Sequence, residues 1–273
     1  MSNSRKGKLL LGTQGFSFDD WVGPFYPEGT PKRRYLEAYA QRFPSVEIDS
    51  SFYGTPRATT VQSWHDRTPD HFRFSAKFPR LITHDKKLEQ AEADAHAFVD
   101  TMQILHEKLA VLILQFAYDF SPDLFERLEV FLDILPGDVR YAVEVRNRKW
   151  LTPELSGMLS DRNMALVLQD LHTMPKLDWI TADFTLIRWL GRRKDVSRFD
   201  GIQIDRTTVL EGWAEKVRRF MEGGVDVYGY FNNHFAGHSP ASVRQFADLM
   251  DITLETNADA GKEIALREEK DDA

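Results

Sequence analysis

Val139-Arg140-Tyr141-Ala142-Val143-Glu144-Val145-Arg146-Asn147-Arg148-Lys149-Trp150 is the stretch on which the fold turns. Read as a strand, it alternates with period two: Tyr141, Val143 and Val145 point one way, and Ala142, Glu144 and Arg146 the other. One side is apolar and the other ends in opposite charges. Charged side chains are seldom buried without a partner, so the pattern predicts either a structural salt bridge inside a closed sheet or the wall of a reactive cavity.

Outward from this strand the same unit recurs. Strands are predicted at residues 9–13, 45–52, 71–77, 109–116, 164–169, 184–190 and 225–231, which with the quoted stretch makes eight. Helical sequence lies between them. Thr30-Pro31 and Ser121-Pro122 are cap-and-first-turn pairs. Ala91, Ala95, Phe98, Met102 and Leu105 form a helical stripe within residues 88–108, and further helices are expected at 58–67, 153–162, 208–222 and 240–254. The weak link is 171–183, which is hardly helical. Eight strands each followed by helix, in 273 residues, predict a single-domain α/β protein, a (β/α)8 TIM barrel, for which about 250 residues is typical. An open doubly wound sheet is the second choice. The barrel domain is expected over 9–254, with a flexible N-terminus at 1–8 and a polar C-terminal tail at 255–273.

Composition narrows the class. A net charge of −7 disfavours a general nucleic-acid binder, although a local basic cleft stays open. The chain has no cysteine, hence no disulfide or thiolate site. No apolar run approaches the roughly 18 residues of a membrane span, so a cytoplasmic protein with no membrane partner is expected. Nothing in the sequence fixes an oligomeric state. Walker, dinucleotide-binding, zinc-protease and nucleophile-elbow motifs are missing, so no cofactor is predicted. The pair His234 and His238 lies in a loop and argues weakly for a metal, whereas a divalent cation held by carboxylates stays open.

In a barrel the active site lies at the carboxyl ends of the strands. The polar residues there define the candidate site. Glu144, Asp49, Lys77 and Asp170 are the catalytic candidates, as acids, bases or charge stabilisers. Gln14, Trp21, Ser51, Tyr53, Gln115, Arg146, Arg188, Tyr230, Asn232, Asn233 and His234 are the substrate-binding candidates. Glu47, deeper in its strand, is expected to pair with Arg73. The charged insertion 191–205, which includes Arg192, Arg193 and Lys194, is a candidate lid or binding loop.

Several motifs occur in order along the chain: Gly12-Thr13-Gln14-Gly15 with Phe25-Tyr26-Pro27, Glu47-Ile48-Asp49-Ser50-Ser51-Phe52-Tyr53, Phe74-Ser75-Ala76-Lys77, Leu114-Gln115-Phe116, Ala142-Val143-Glu144-Val145-Arg146 with Trp150, and Tyr230-Phe231-Asn232-Asn233. Together they resemble the YecE-like family, domain of unknown function 72. The resemblance implies a TIM barrel and names no activity. The chain has Leu190 where the family pattern carries a histidine after Arg-x, and His234 where the pattern has aspartate after Asn-Asn. The expectation is an enzyme of hydrolase or lyase type acting on a small polar or anionic ligand. The alternatives are a phosphodiesterase or DNA-repair nuclease, by fold analogy, and a non-catalytic metabolite-binding protein.

Overall fold

The structure is a computed structural model that describes residues 5–254; residues 1–4 and 255–273, which hold part of the expected flexible N-terminus and all of the polar tail, lie outside the described residues. Alternating apolar sequence forms the strands β1 (Leu9–Gln14), β2 (Ser45–Ile48), β3 (Arg73–Lys77), β4 (Leu109–Gln115), β5 (Tyr141–Glu144), β6 (Ala165–Leu166), β7 (Leu168–Asp170), β8 (Phe184–Trp189) and β9 (Asp226–Phe231). All their pairings are parallel, and β1 pairs with both β2 and β9. The sheet order is β6-β5-β4-β3-β2-β1-β9-β8-β7, a nearly closed parallel barrel of TIM-barrel type.

The ladder differs from the expected eight strands at one place. Residues 164–169 form two short strands separated by Val167, β6 pairing with β5 and β7 with β8. Thr181 explains the seam: its hydroxyl accepts from the Leu166 N–H at 2.8 Å and donates to the Met164 carbonyl at 2.7 Å. A side chain thus satisfies backbone groups that a neighbouring strand would otherwise take. It comes from the non-helical segment 171–183.

The helices are α1 (Tyr35–Ala40), α2 (Ala58–Asp66), α3 (Glu92–Met102), α4 (Phe125–Asp133), α5 (Pro153–Asp161), α6 (Thr207–Glu222), α7 (Asn233–Ala236) and α8 (Ser239–Leu249). Period-two alternation sorts the strand residues. Val46, Ile48, Phe74, Leu112, Leu114, Val143 and Leu166 belong to the large core that also holds the buried helix residues, among them Leu210, Trp213, Val217 and Phe220 of α6. Val111, Ile113, Ala142, Ala165, Val167, Leu186 and Tyr230 form a second, interior cluster. Polar residues of that interior parity reach the carboxyl end of the barrel, where a cavity of about 790 Å³ opens.

Two expected elements end early. The second strand stops at Ile48, and Ser50–Tyr53 coils into a 3-10 turn. The helix expected over 88–108 is α3 followed by a 3-10 turn, Gln103–Lys108, in which His106 has a φ of 47°. Among the described residues no helix is long and apolar enough to cross a membrane.

Candidate functional site

Asp49, Lys77, Arg146 and Arg188 line the floor of the cavity, and with Glu47 and Glu144 buried beneath them they form an interlocked charge cluster. Arg188, from β8, reaches across the barrel and donates Nε to Glu47 Oε2 at 2.9 Å and Nη2 to Glu47 Oε1 at 2.8 Å, a two-bond fork onto one carboxylate. Its Nη1 pairs with Glu144 Oε2, and Glu144 Oε1 pairs with Arg146. Lys77 joins the set from β3: its ammonium pairs with Asp49 and lies 3.6 Å from Glu47 Oε1. Parity brings these residues together, since Glu47, Lys77, Glu144 and Arg188 all have the interior orientation of their strands. Arg73 shares that parity but starts β3 at the opposite end, where it donates to the carbonyls of Asp70 and Phe72. The expected Glu47–Arg73 pair is therefore replaced by Glu47–Arg188.

Burial and neighbouring charge pull these carboxyls apart. Burial pushes Glu47 up to about 7, against the opposing pull of Arg188 and Lys77 and with the help of the Asp49 and Glu144 carboxylates. Burial acts on Asp49 too, but Lys77 and Arg188 outweigh it and hold its carboxyl below the usual range. Glu144 is likewise held down, because Arg146 and Arg188 overcome its burial. Glu144 is thus a fully paired anion, while Glu47 is the group placed to titrate near neutrality.

Around this floor the wall is polar and basic. Gln14 Oε1 accepts from Asn232 Nδ2 at 2.9 Å, joining the exits of β1 and β9. Gln115, Arg146 and His234 also line the cavity, with Phe52 and Tyr53 along the edge. Tyr53 is 87% exposed and offers an open ring face. Three buried side-chain atoms of lining residues have no hydrogen-bond partner: Asp49 Oδ1, which is ion-paired with Lys77, Arg146 Nε and His234 Nδ1. The insertion after β8 brings Arg192, Arg193 and Lys194 to the rim, beside His172. Glu47, His172 and Phe52 were outside the sequence-derived site; the interior parity of Glu47 was the signal that could have included it.

Other candidates lie elsewhere. Asp170 follows Leu166 and Leu168 in outward parity, accepts from Trp213 Nε1 of α6 at 2.8 Å and pairs with Lys176 at 2.8 Å, so it is not brought to the cavity. Trp21 is buried among Phe25, Tyr26 and Tyr39 and donates to Asn233 Oδ1 at 3.2 Å. That oxygen also accepts from Ser239 N and Oγ, so Asn233 ties the β9 exit to α8. Ser51 donates to the Ile48 carbonyl at 3.0 Å, and the Tyr230 hydroxyl meets Ser75 at 2.8 Å deeper in the barrel. None of these five candidates, Asp170, Trp21, Asn233, Ser51 and Tyr230, borders the cavity. Among the described residues no group of three or more His, Asp or Glu side chains is placed to hold a metal ion.

The family model described as a protein of unknown function, DUF72, matches residues 10–264. The chain is 27% identical over 272 residues to UPF0759 protein YunF of Bacillus subtilis, spanning 89% of this chain and 95% of that protein. It is 37% identical over 112 residues to UPF0759 protein YecE of Escherichia coli, 41% of each chain. A solved DUF72 family protein from Thermotoga maritima aligns with a TM-score of 0.76 at 26% identity, covering 89% of this chain and 99% of that one.

Proposed function

This chain belongs to the DUF72 family, and on that premise we propose that it is an enzyme of hydrolase or lyase type acting on a small polar, anionic substrate at the carboxyl-end mouth of a (β/α)8 barrel. We count β6 and β7 as one strand bent at Val167, since each pairs with the neighbour the other lacks. The observation that carries the reading is the divergence of two adjacent carboxyls, Glu47 pushed up to about 7 and Asp49 held low, with Lys77 between them. Groups whose environments drive their pKa values apart give one site an acid and a base at the same pH.

In this reading Asp49, which borders the cavity, is the ionised base that takes a proton from the substrate. Lys77 beside it stabilises the negative charge that develops. Glu47 does not border the cavity; it acts through Lys77 and Asp49 as the proton reservoir beneath them. Glu144, spent on two guanidiniums, holds Arg146 in position instead of moving a proton. A non-catalytic binding protein would need no group that titrates near neutrality. The test is turnover of a metabolite extract by the wild type and by Asp49→Asn, read by mass spectrometry. A wild-type-specific product whose formation falls by about 100-fold or more in Asp49→Asn is expected, the usual scale for a lost general base. Equal turnover by the variant removes the assignment, and a wild type that retains a ligand without converting it supports the binding protein.

A further inference from the structure

Charge is distributed unevenly over the mouth. On the floor, Lys77, Arg146 and Arg188 face Glu47, Asp49 and Glu144, three cations against three carboxylates. With Glu47 ionised the floor is balanced, and with Glu47 protonated it carries a single net positive charge, already shared among Asp49 and Glu144, so it suits an uncharged polar group better than a dianion. At the rim, Arg192, Arg193 and Lys194 line the same cavity, and among the described residues none of the three has an ion-pair partner. Asp195, next in the chain, does not line it. Most of the excess positive charge of the mouth therefore sits on one loop.

That loop is fixed in place at both ends. Gly191 has a φ of 67°, and a Cβ there would lie 2.0 Å from the His234 carbonyl oxygen, so the root of the loop packs directly on the turn after β9. Farther along, the Phe199 N–H donates to Asp20 Oδ2 at 2.8 Å, and the Phe199 ring meets the edge of His234 at 5.0 Å. The Gln203 N–H donates to the Ala236 carbonyl at 2.6 Å. Between these anchors the three basic residues stand at the rim, next to His234 with its unpartnered, buried Nδ1.

We infer that Arg192, Arg193 and Lys194 form the seat for the phosphate of a small sugar phosphate, whose uncharged hydroxyl or carbonyl end lies on the floor. This rests on the reading of the mouth as a substrate site and adds which part of the substrate goes where. A dianionic phosphate has oxygens for several cationic donors at once, whereas a carboxylate is matched by a single guanidinium fork. The position agrees with barrel architecture, in which phosphate is frequently held by the loops that leave the last two strands, here β8 and β9.

The test is calorimetric titration of the full-length protein with ribose, ribose phosphate and inorganic phosphate, comparing the wild type with Arg192→Gln/Arg193→Gln/Lys194→Gln. Exposed cations contribute roughly two- to fivefold each, so the wild type should bind ribose phosphate about tenfold or more tightly than ribose. The triple variant should bind both alike, and inorganic phosphate should compete only in the wild type. Should the triple variant fail to fold, the three single variants must each lower ribose phosphate affinity by roughly two- to fivefold. A variant that keeps the full phosphate preference overturns the seat while leaving the Asp49-dependent turnover assignment standing. A wild type that binds neither ribose phosphate nor inorganic phosphate also overturns the seat; loss of the turnover assignment is read separately, from Asp49→Asn.

Discussion

In Arg188→Met, Glu47 and Glu144 lose the guanidinium they share. Glu47 is left with the Lys77 ammonium at 3.6 Å, and Glu144 with Arg146. Both carboxyls are fully buried. Removing one partner from a buried ion pair costs about 3–5 kcal/mol, because the other charge stays dry and uncompensated. Domain stabilities run about 5–15 kcal/mol, so the variant should still fold with much of its margin gone. The cost has a pH signature. Glu47 already titrates above its unfolded value of 4.5, near 7, so its burial penalty is absent below 4.5 and grows as pH rises through 7. Arg188 is one of the groups pulling it down; without it the folded pKa rises further, and protonation absorbs more of the penalty at lower pH. The loss should therefore be largest near about pH 9 and smaller near about pH 6. Glu144 works in the opposite sense: its lowered pKa means that its contribution is present above the ordinary carboxylate range and lost as pH falls. The assay is urea unfolding followed by tryptophan fluorescence at both pH values, with Glu47→Gln and the double variant completing a cycle. A coupling of about 1–3 kcal/mol between positions 47 and 188 is expected. An Arg188→Met protein within about 1 kcal/mol of the wild type at both pH values, or simple additivity in the cycle, would refute the argument.

Turnover should follow a bell-shaped pH profile, since it needs Glu47 protonated and Asp49 ionised: it falls as pH rises through about 7 and again as pH drops through the depressed Asp49 value. A flat kcat/KM across that range would remove Glu47 from the scheme. Gly191→Ala places a Cβ against the His234 carbonyl at a left-handed backbone position, and should cost about 2 kcal/mol or more in thermal unfolding while loosening the basic loop. A variant as stable as the wild type would mean that the loop root is not pinned. Asp170→Asn, which touches α6 instead of the cavity, should leave ligand affinity within roughly twofold while lowering stability by about 1 kcal/mol through the weakened bond to Trp213. A large loss of affinity would show that the β7 exit does reach the mouth.

Much of this was readable from local pattern. The alternation of Ala142, Glu144 and Arg146 against Tyr141, Val143 and Val145 assigned the faces of β5 before any fold was known, and the same rule on β2 and β3 collects Glu47 and Lys77. Applied strictly to the β7 segment, it would have turned Asp170 outward with Leu166 and Leu168. The strand seam was less legible, because it depends on Thr181 reaching back 15 residues to Leu166. The partner of Glu47 was not legible at all. Arg73 and Arg188 have equal interior parity, but the first sits at the wrong end of its strand and the second comes from 141 residues away. Sequence alone determined which side chains face the barrel interior, because a strand's pleat is a property of neighbouring residues. Only the tertiary structure decided which of those charges meet, which carboxyl is left to titrate, and that the consecutive cations Arg192, Arg193 and Lys194 stand unpaired at the rim, because burial and ion pairing depend on contacts between residues far apart in the chain.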